Sequence, residues 1–313
     1  MGKTAVIFPG QGAQSVGMGR DVAEVSERAA AVFARADEVL GFDIQQCCYE
    51  GPAEQLERTD IQQPAIFVTS VAIWEALSEK GFSANRFSAA AGLSLGEYTA
   101  LHVAGSMEFD EALRLVHRRG QLMQEAALAS PSGMVSLIGG DEEAAVRLCA
   151  QASQGEVLSP ANFNCPGQIV ISGAKSACAR AVEMAGEFGC RALPLKVSGA
   201  FHSALMQRAA DRLGEVLRET PIRTPRIPVI ANVTSEPHTD PDGVRRLLQD
   251  QVVRPVRWQE SMHKLIAEGV ETFFEVGPGR VLTGLMKKIN RKVPTVNVST
   301  TEHVESAPAE VPA

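Results

Sequence analysis

Gly92-Leu93-Ser94-Leu95-Gly96 spells G-x-S-x-G, and the chemistry that pattern serves is nucleophilic acyl transfer. A run of small and apolar residues, 87–91, precedes it and reads as a strand, and a helical pattern begins at Glu97. A nucleophile elbow needs this strand–turn–helix setting, because the serine sits on a strained turn that pushes its Oγ clear of the sheet. Flanking glycines remove the Cβ atoms that would crowd such a turn. The pentapeptide also arises by chance, and the competing reading is an ordinary turn with a capping serine.

A serine nucleophile needs a base, usually histidine. Of the six histidines, His102 follows the elbow on its helix, His117 lies on a basic helix face, and His303 is near the C-terminus. His238 falls in a Pro/Asp turn and His263 among solvated helix neighbours. His202 stands apart, in the small-residue loop Ser198-Gly199-Ala200-Phe201-His202-Ser203, and is the leading candidate. No carboxylate between Ser94 and His202 stands at a convincing strand end, so a backbone carbonyl could orient the imidazole instead. The pair Arg118-Arg119 offers a cation for a substrate carboxylate, gripped through two parallel hydrogen bonds. Adjacent helical residues diverge, so at most one of the two faces the site, and a solvated basic face is the alternative. Leu95, after the nucleophile, and the loop Phe8-Pro9-Gly10-Gln11-Gly12 are placed to give backbone N–H groups to an oxyanion hole. That loop is neither a dinucleotide fingerprint nor a P-loop.

These residues need a scaffold. Strand and helix signals alternate: a strand at 5–8, helices near 20–40 and 63–80, the elbow, and a helix at 110–128. Alternation of this kind predicts a mostly parallel sheet with helices on both faces. The grammar then changes, to a strand at 134–138, a helix at 142–151, strands at 155–160 and 168–172, a helix at 174–188 and a strand at 191–197. That β-α-β-β-α-β order is ferredoxin-like. Helix and strand signals of the first kind resume from 203 to 298. The expected fold class is therefore α/β, with residues 1–131 and 200–300 forming a core and 132–199 an inserted ferredoxin-like subdomain. Residues 301–313, rich in Glu, Ala and Pro, read as a disordered tail.

The 313 residues carry a net charge of −7, which argues against a nucleic-acid partner. Any anionic group must then be met by a local cation. No apolar run approaches a membrane span, and the start of the chain has no signal-peptide pattern, so a cytoplasmic location is expected. The six cysteines lack metal-binding spacing and suit reduced thiols. Neither a metal nor a cofactor is expected.

Together these fragments resemble the malonyl-CoA:acyl carrier protein transacylase family over about residues 4 to 300. The carrying motifs are Phe8-Pro9-Gly10-Gln11-Gly12, Gln62-Gln63-Pro64-Ala65, Gly92-Leu93-Ser94-Leu95-Gly96-Glu97-Tyr98 and Arg119-Gly120. Further along come Asn162-Phe163-Asn164-Cys165-Pro166-Gly167-Gln168, Gly199-Ala200-Phe201-His202-Ser203, Gln251 with Pro255-Val256-Arg257-Trp258, and Glu275-Val276-Gly277-Pro278-Gly279. The resemblance implies a hydrolase-like core carrying a ferredoxin-like subdomain. It implies Ser94 as nucleophile, His202 as base and Arg119 as partner of the malonyl carboxylate. It further implies oxyanion-hole N–H groups from Gln11 and Leu95, Gln251 orienting His202 through its carbonyl, and Gln63 in the pocket wall. Phe201 matches the malonyl-type form of its loop, where a bulky ring excludes an extra α-methyl. Leu93 departs from the histidine that often precedes the family's nucleophile, and an altered pocket wall is expected there. The implied partners are malonyl-CoA and an acidic acyl carrier protein, met by a basic rim drawn from Arg191, Lys196, Lys287, Lys288, Arg291 and Lys292; a monomer is expected. Two rivals are a serine esterase with water as acceptor, for which Arg119 would have no use, and a carrier-binding module without chemistry, for which the set Ser94, His202 and Arg119 would have none.

Overall fold

The computed structural model describes residues 2–308. Among them are β1 (Lys3–Phe8), β2 (Ala89–Gly92), β3 (Ser132–Ile138), β4 (Leu158–Cys165), β5 (Gln168–Ala174), β6 (Arg191–Pro194), β7 (Val229–Ile230), β8 (Val270–Val276) and β9 (Thr295–Val298). The larger sheet has the order β7-β2-β1-β8-β9, with every pairing parallel. Its strands are short and its centre is buried on both faces, as helical crossovers require. The smaller sheet has the order β4-β5-β3-β6, is antiparallel, and carries the helices Glu142–Ser153 and Lys175–Met184. The fold is the α/β arrangement expected from the alternation of signals, with the ferredoxin-like β-α-β-β-α-β order between the two parts of the parallel sheet.

Each face of the parallel sheet has its own apolar cluster, one around Phe8, Phe33, Phe67 and Leu101, the other around Ile7, Trp258, Phe273 and Met286. The small sheet packs its two helices on a third cluster. The helix Thr59–Glu79 is buried on nearly every side, consistent with a sequence apolar all round rather than striped. It begins four residues before the expected start at Gln63, with Pro64 inside it. The small sheet is tied to the core where Val256, just before the helix Trp258–Ala267, donates its N–H to the Ala161 carbonyl (2.8 Å) and accepts from Phe163 N–H (2.9 Å).

Several boundaries differ from the sequence reading. The helix expected over 20–40 is two, Arg20–Val25 and Glu27–Leu40, because Ser26 is extended and its side chain caps the second by accepting from Ala29 N–H. Two further helices, Ile44–Glu50 and Ala53–Leu56, had no counterpart in the expectations. The strand expected at 155–160 is β4 and runs on to Cys165, which puts the Asn162-Phe163-Asn164 motif on a strand with irregular register. The expected disordered tail is corrected for part of its length. Thr301–Ser306 is a helix, held by the Thr300 side chain at its start, by Thr301 N–H donating to Asp21 (2.7 Å), and by buried Val304. Composition could not show that one cap and one buried valine suffice. Residues 309–313 lie outside the described ones.

Candidate active site

Strand β2 ends at Gly92 and the helix Gly96–Val103 follows, so Ser94 occupies the turn at the C-terminal edge of the parallel sheet. Its φ is 53°, in the left-handed region that a side chain rarely adopts. The turn is that tight because both glycines lie against backbone. A Cβ on Gly92 would sit 1.9 Å from the Gly96 carbonyl carbon, and one on Gly96 would sit 2.1 Å from the Phe8 carbonyl oxygen. His202 is also left-handed, with φ of 58°. Strain of this kind costs about 1–3 kcal/mol per residue and persists where the surroundings over-determine it.

Ser94 Oγ lies 2.9 Å from His202 Nε2. The other ring nitrogen, Nδ1, lies 2.7 Å from the Gln251 carbonyl oxygen. That carbonyl can only accept, so Nδ1 carries the proton and Nε2 presents a lone pair to the serine hydroxyl. Burial pushes the imidazole down to about 4, with the nearby Arg119 cation adding to the shift. It is therefore neutral at neutral pH, the form a base requires.

Arg119 is fully buried and also reaches the hydroxyl, with Nη2 donating to Ser94 Oγ at 3.0 Å. Its remaining partners are amide oxygens: Gln251 Oε1 at 2.9 Å and Gln63 Oε1 at 2.5 Å. Its Nε has no partner among the described residues, and its guanidinium stands 5.2 Å from the centre of the Tyr98 ring. No carboxylate bonds it directly, so the cation is held in place with charge to spare for a ligand anion. Arg118, one residue earlier, points elsewhere and donates to Gln121.

The loop after β1 leans on the elbow, since a Cβ on Gly10 would meet the Leu93 carbonyl oxygen at 2.2 Å. The backbone N–H groups of Gln11 and Leu95 donate to no acceptor among the described residues. Two unclaimed donors flanking the nucleophile are what a developing oxyanion needs. A cavity of about 180 Å³ opens over Ser94 and His202, lined also by Gln11, Leu93, Phe201 and Leu195.

A family of acyl transferase domains matches this chain over residues 5–308. A Bacillus subtilis malonyl CoA-acyl carrier protein transacylase is 44% identical over 309 residues, covering 98% of this chain and 96% of its own length. The Escherichia coli K12 protein of the same description is 43% identical over 290 residues, covering 92% and 93%. An acyl carrier protein S-malonyltransferase from Vibrio cholerae superposes with a TM-score of 0.94 at 45% identity, covering 98% of this chain and 100% of that one. A malonyl-transacylase solved in complex with its type II polyketide acyl-carrier protein superposes with a TM-score of 0.94 at 43% identity, covering 97% and 98%. The chain belongs to the malonyl-CoA:acyl carrier protein transacylase family.

Within this transacylase framework, the residues singled out from sequence fall unevenly around the cavity. Ser94, His202, Arg119 and Gln251 form one bonded cluster. Phe201 is buried in the cavity wall, and Leu93 lines it too. Gln63 departs from expectation: it is fully buried, outside the cavity lining, and it anchors Arg119 Nη1. The Gln11 side chain donates to Gln62 Oε1, while only its main chain is free for a ligand.

Sequence reasoning missed a group beneath these. Asn232 Oδ1 accepts from Ser94 N–H (2.6 Å), and its Nδ2 donates to the Gly92 carbonyl (2.7 Å), bracing the elbow from both sides. Glu97, fully buried, accepts from Asn232 N–H (3.0 Å) and Gln251 Nε2 (2.7 Å) on one oxygen and lies 2.8 Å from His238 Nε2 on the other. Asn232 had a readable signal, a polar residue just past the C-terminal end of a strand neighbouring the elbow strand, where open α/β sheets gather their ligands. Glu97 is a charge in an otherwise apolar helix start, and His238 reads from sequence as a turn residue. Asn162 and Asn164 also line the cavity, and Asn164 Oδ1 is buried without a partner. Among the described residues, no group of three or more His, Cys, Asp or Glu could hold a metal ion, and all six cysteines are free and buried. No helix of the structure is long and apolar enough to cross a membrane.

Proposed function

We propose that this chain transfers the malonyl group of malonyl-CoA to the pantetheine thiol of acyl carrier protein, through a malonyl ester on Ser94. The observation that carries the reading is one hydroxyl placed 2.9 Å from a neutral imidazole and 3.0 Å from a buried guanidinium that no carboxylate neutralises. The first element makes a nucleophile. The second selects an acyl group with an anion at its far end.

In the first half-reaction, His202 Nε2 takes the Ser94 proton as Oγ attacks the thioester carbonyl. Negative charge gathers on the carbonyl oxygen and is met by the N–H groups of Gln11 and Leu95. The C–S bond then breaks and His202 returns the proton to the departing CoA sulfur. The second half runs the same steps in reverse, with the carrier thiol as nucleophile and Ser94 Oγ as leaving group. A backbone carbonyl orients His202 without adding charge, giving a weaker base than an Asp-paired imidazole. That base is adequate for an activated thioester. Arg119 exchanges its bond to Ser94 Oγ for the malonyl carboxylate, and its unpartnered Nε supplies a further donor. Phe201 narrows the space at the α-carbon.

A basic rim supports the choice of an acidic carrier protein. Lys196 is exposed between Leu195 and Val197, both cavity-lining, and exposed Lys287 and Lys288 extend the helix Val281–Ile289, whose Val281 and Leu285 line the same cavity. Action as a monomer is part of the proposal. The test is intact-mass analysis after malonyl-CoA, with peptide mapping, followed by addition of the holo carrier protein. The expected outcome is a malonyl adduct on Ser94, absent in Ser94→Ala, that passes to the carrier thiol. Steady release of free malonate with no transfer would replace this reading with hydrolysis.

A further inference from the structure

We infer that Glu97 is a positioning residue for the acyl transfer, fixing Arg119 and the Ser94 elbow through the side chain of Gln251. The inference rests on the acyl-transfer reading and concerns groups that its steps do not use. His202 lacks the carboxylate that usually orients a catalytic imidazole, but a buried carboxylate is present one residue further out.

Gln251 touches the site at three points: its carbonyl oxygen accepts from His202 Nδ1 (2.7 Å), its Oε1 accepts from Arg119 Nη2 (2.9 Å), and its Nε2 donates to the Ser94 carbonyl (3.0 Å). The carbonyl is main-chain, at the end of the helix Pro241–Gln251, but a glutamine side chain with free torsions would hold neither of the other two contacts well. Glu97 Oε2 removes that freedom by accepting from Nε2 at 2.7 Å. The same oxygen accepts from Asn232 N–H, and Asn232 holds the elbow. Glu97 itself is pinned by His238, whose side chain is fully buried 2.8 Å from Oε1. The neutral amide between Glu97 and Arg119 matters as well. A carboxylate bonded directly to the guanidinium would occupy the place of the malonyl anion, whereas an amide relay steadies the cation and leaves it unpaired.

The relay makes a separable prediction, because acceptor geometry, and not charge, is what Gln251 needs. Glu97→Gln keeps an oxygen toward Gln251 and Asn232, with its amide turned to His238. Glu97→Met keeps the volume and removes every acceptor. A displacement of about 1 Å at reacting groups can cost ~100-fold in rate. Accordingly Glu97→Met should lose about 100-fold in the first-order acylation rate, with KM for malonyl-CoA within about threefold and every Ser94 still acylated at the endpoint. Glu97→Gln should stay within about threefold of wild type. A purely structural role would lower the acylatable fraction and leave the rate per active site unchanged. His238→Leu and His238→Gln form a second pair: the leucine should slow acylation and the glutamine, which keeps an N–H near the Nε2 position, should not. That pair decides the matter if Glu97→Met does not fold. Wild-type rates per site in Glu97→Met, or in His238→Leu where that pair decides, would overturn the inference. Absence of any adduct in the wild type itself would instead overturn the acyl-transfer reading.

Discussion

Arg119→Ala isolates the contribution that distinguishes malonyl transfer from transfer of any other short acyl group. The guanidinium is fully buried, bonded to Ser94, Gln251 and Gln63, and has no acidic partner of its own. On the proposed reading, its partner in the acylated site is the malonyl carboxylate. Truncating one member of a buried, hydrogen-bonded charge pair costs about 2–5 kcal/mol, which is roughly 30- to 5,000-fold in kcat/KM. Acetyl-CoA has no carboxylate to lose, so its loading should change little or rise, and the malonyl-to-acetyl preference should collapse by a similar factor. The assay is quenched-flow acylation followed by intact-mass measurement with each thioester at about pH 8, where His202 is neutral in both proteins. Acetylation serves as the internal control. The variant leaves the side-chain oxygens of Gln63 and Gln251 each short of a buried donor, at a stability cost of about 1–3 kcal/mol apiece, so a parallel fall in both acylations would report a damaged site. Malonyl loading at the wild-type rate, with preference intact, would refute the assigned role.

Four further outcomes are expected. Because burial and Arg119 hold His202 at about 4, kcat/KM for acylation should stay level from neutral pH to about 5 and fall only below that, and in Arg119→Ala the limb should move up toward the ordinary histidine value of about 6.5. The same depressed value makes stability sensitive to acid: the unfolded chain binds this proton below about 6.5 and the folded chain only below about 4, so the linked stability is complete above that window and lost as pH falls through it. Urea titrations across the window should show a smaller loss in His202→Gln than in wild type, because His102 and His117, also shifted down by burial, keep part of it in both. Phe201→Ala, which removes a buried ring from the cavity wall, should raise methylmalonyl loading relative to malonyl by about 1–3 kcal/mol of discrimination, read by competition between the two thioesters. Lys196→Glu and Lys288→Glu should raise KM for the carrier protein and flatten its salt dependence while leaving self-acylation by malonyl-CoA unchanged; equal KM values at low ionic strength would remove these residues from the docking surface.

Much of the fold was legible because its signals are local. The strand at β1, the long helix that became Phe109–Ala129, and the order of elements from Ser132 to Pro194 follow from apolar periodicity and turn residues read within one segment. Boundaries set by a single cap were not legible, as at Ser26, where one hydroxyl ends the continuity of a helical pattern. The seating of Val256 against Ala161 and Phe163 of β4, almost a hundred residues away in the chain, is something no local pattern records. Gln63 shows the same limit at the site: its place in a motif marked it as important, but only packing turned it from pocket wall into an anchor for Arg119.

By itself the sequence determined which groups could react: a serine between glycines in an elbow, a histidine in a small-residue loop, and a pair of arginines. Those identities follow from residue chemistry and short-range spacing. Tertiary structure alone decided that Arg119 and not Arg118 meets the serine, and that His202, 108 positions from Ser94, stands 2.9 Å from it. It also decided that the imidazole leans on a main-chain carbonyl while a buried carboxylate, Glu97, lies one amide beyond. The reason is physical. A hydrogen bond acts over about 3 Å, and which distant residues come within that distance depends on how the helices and two sheets pack together.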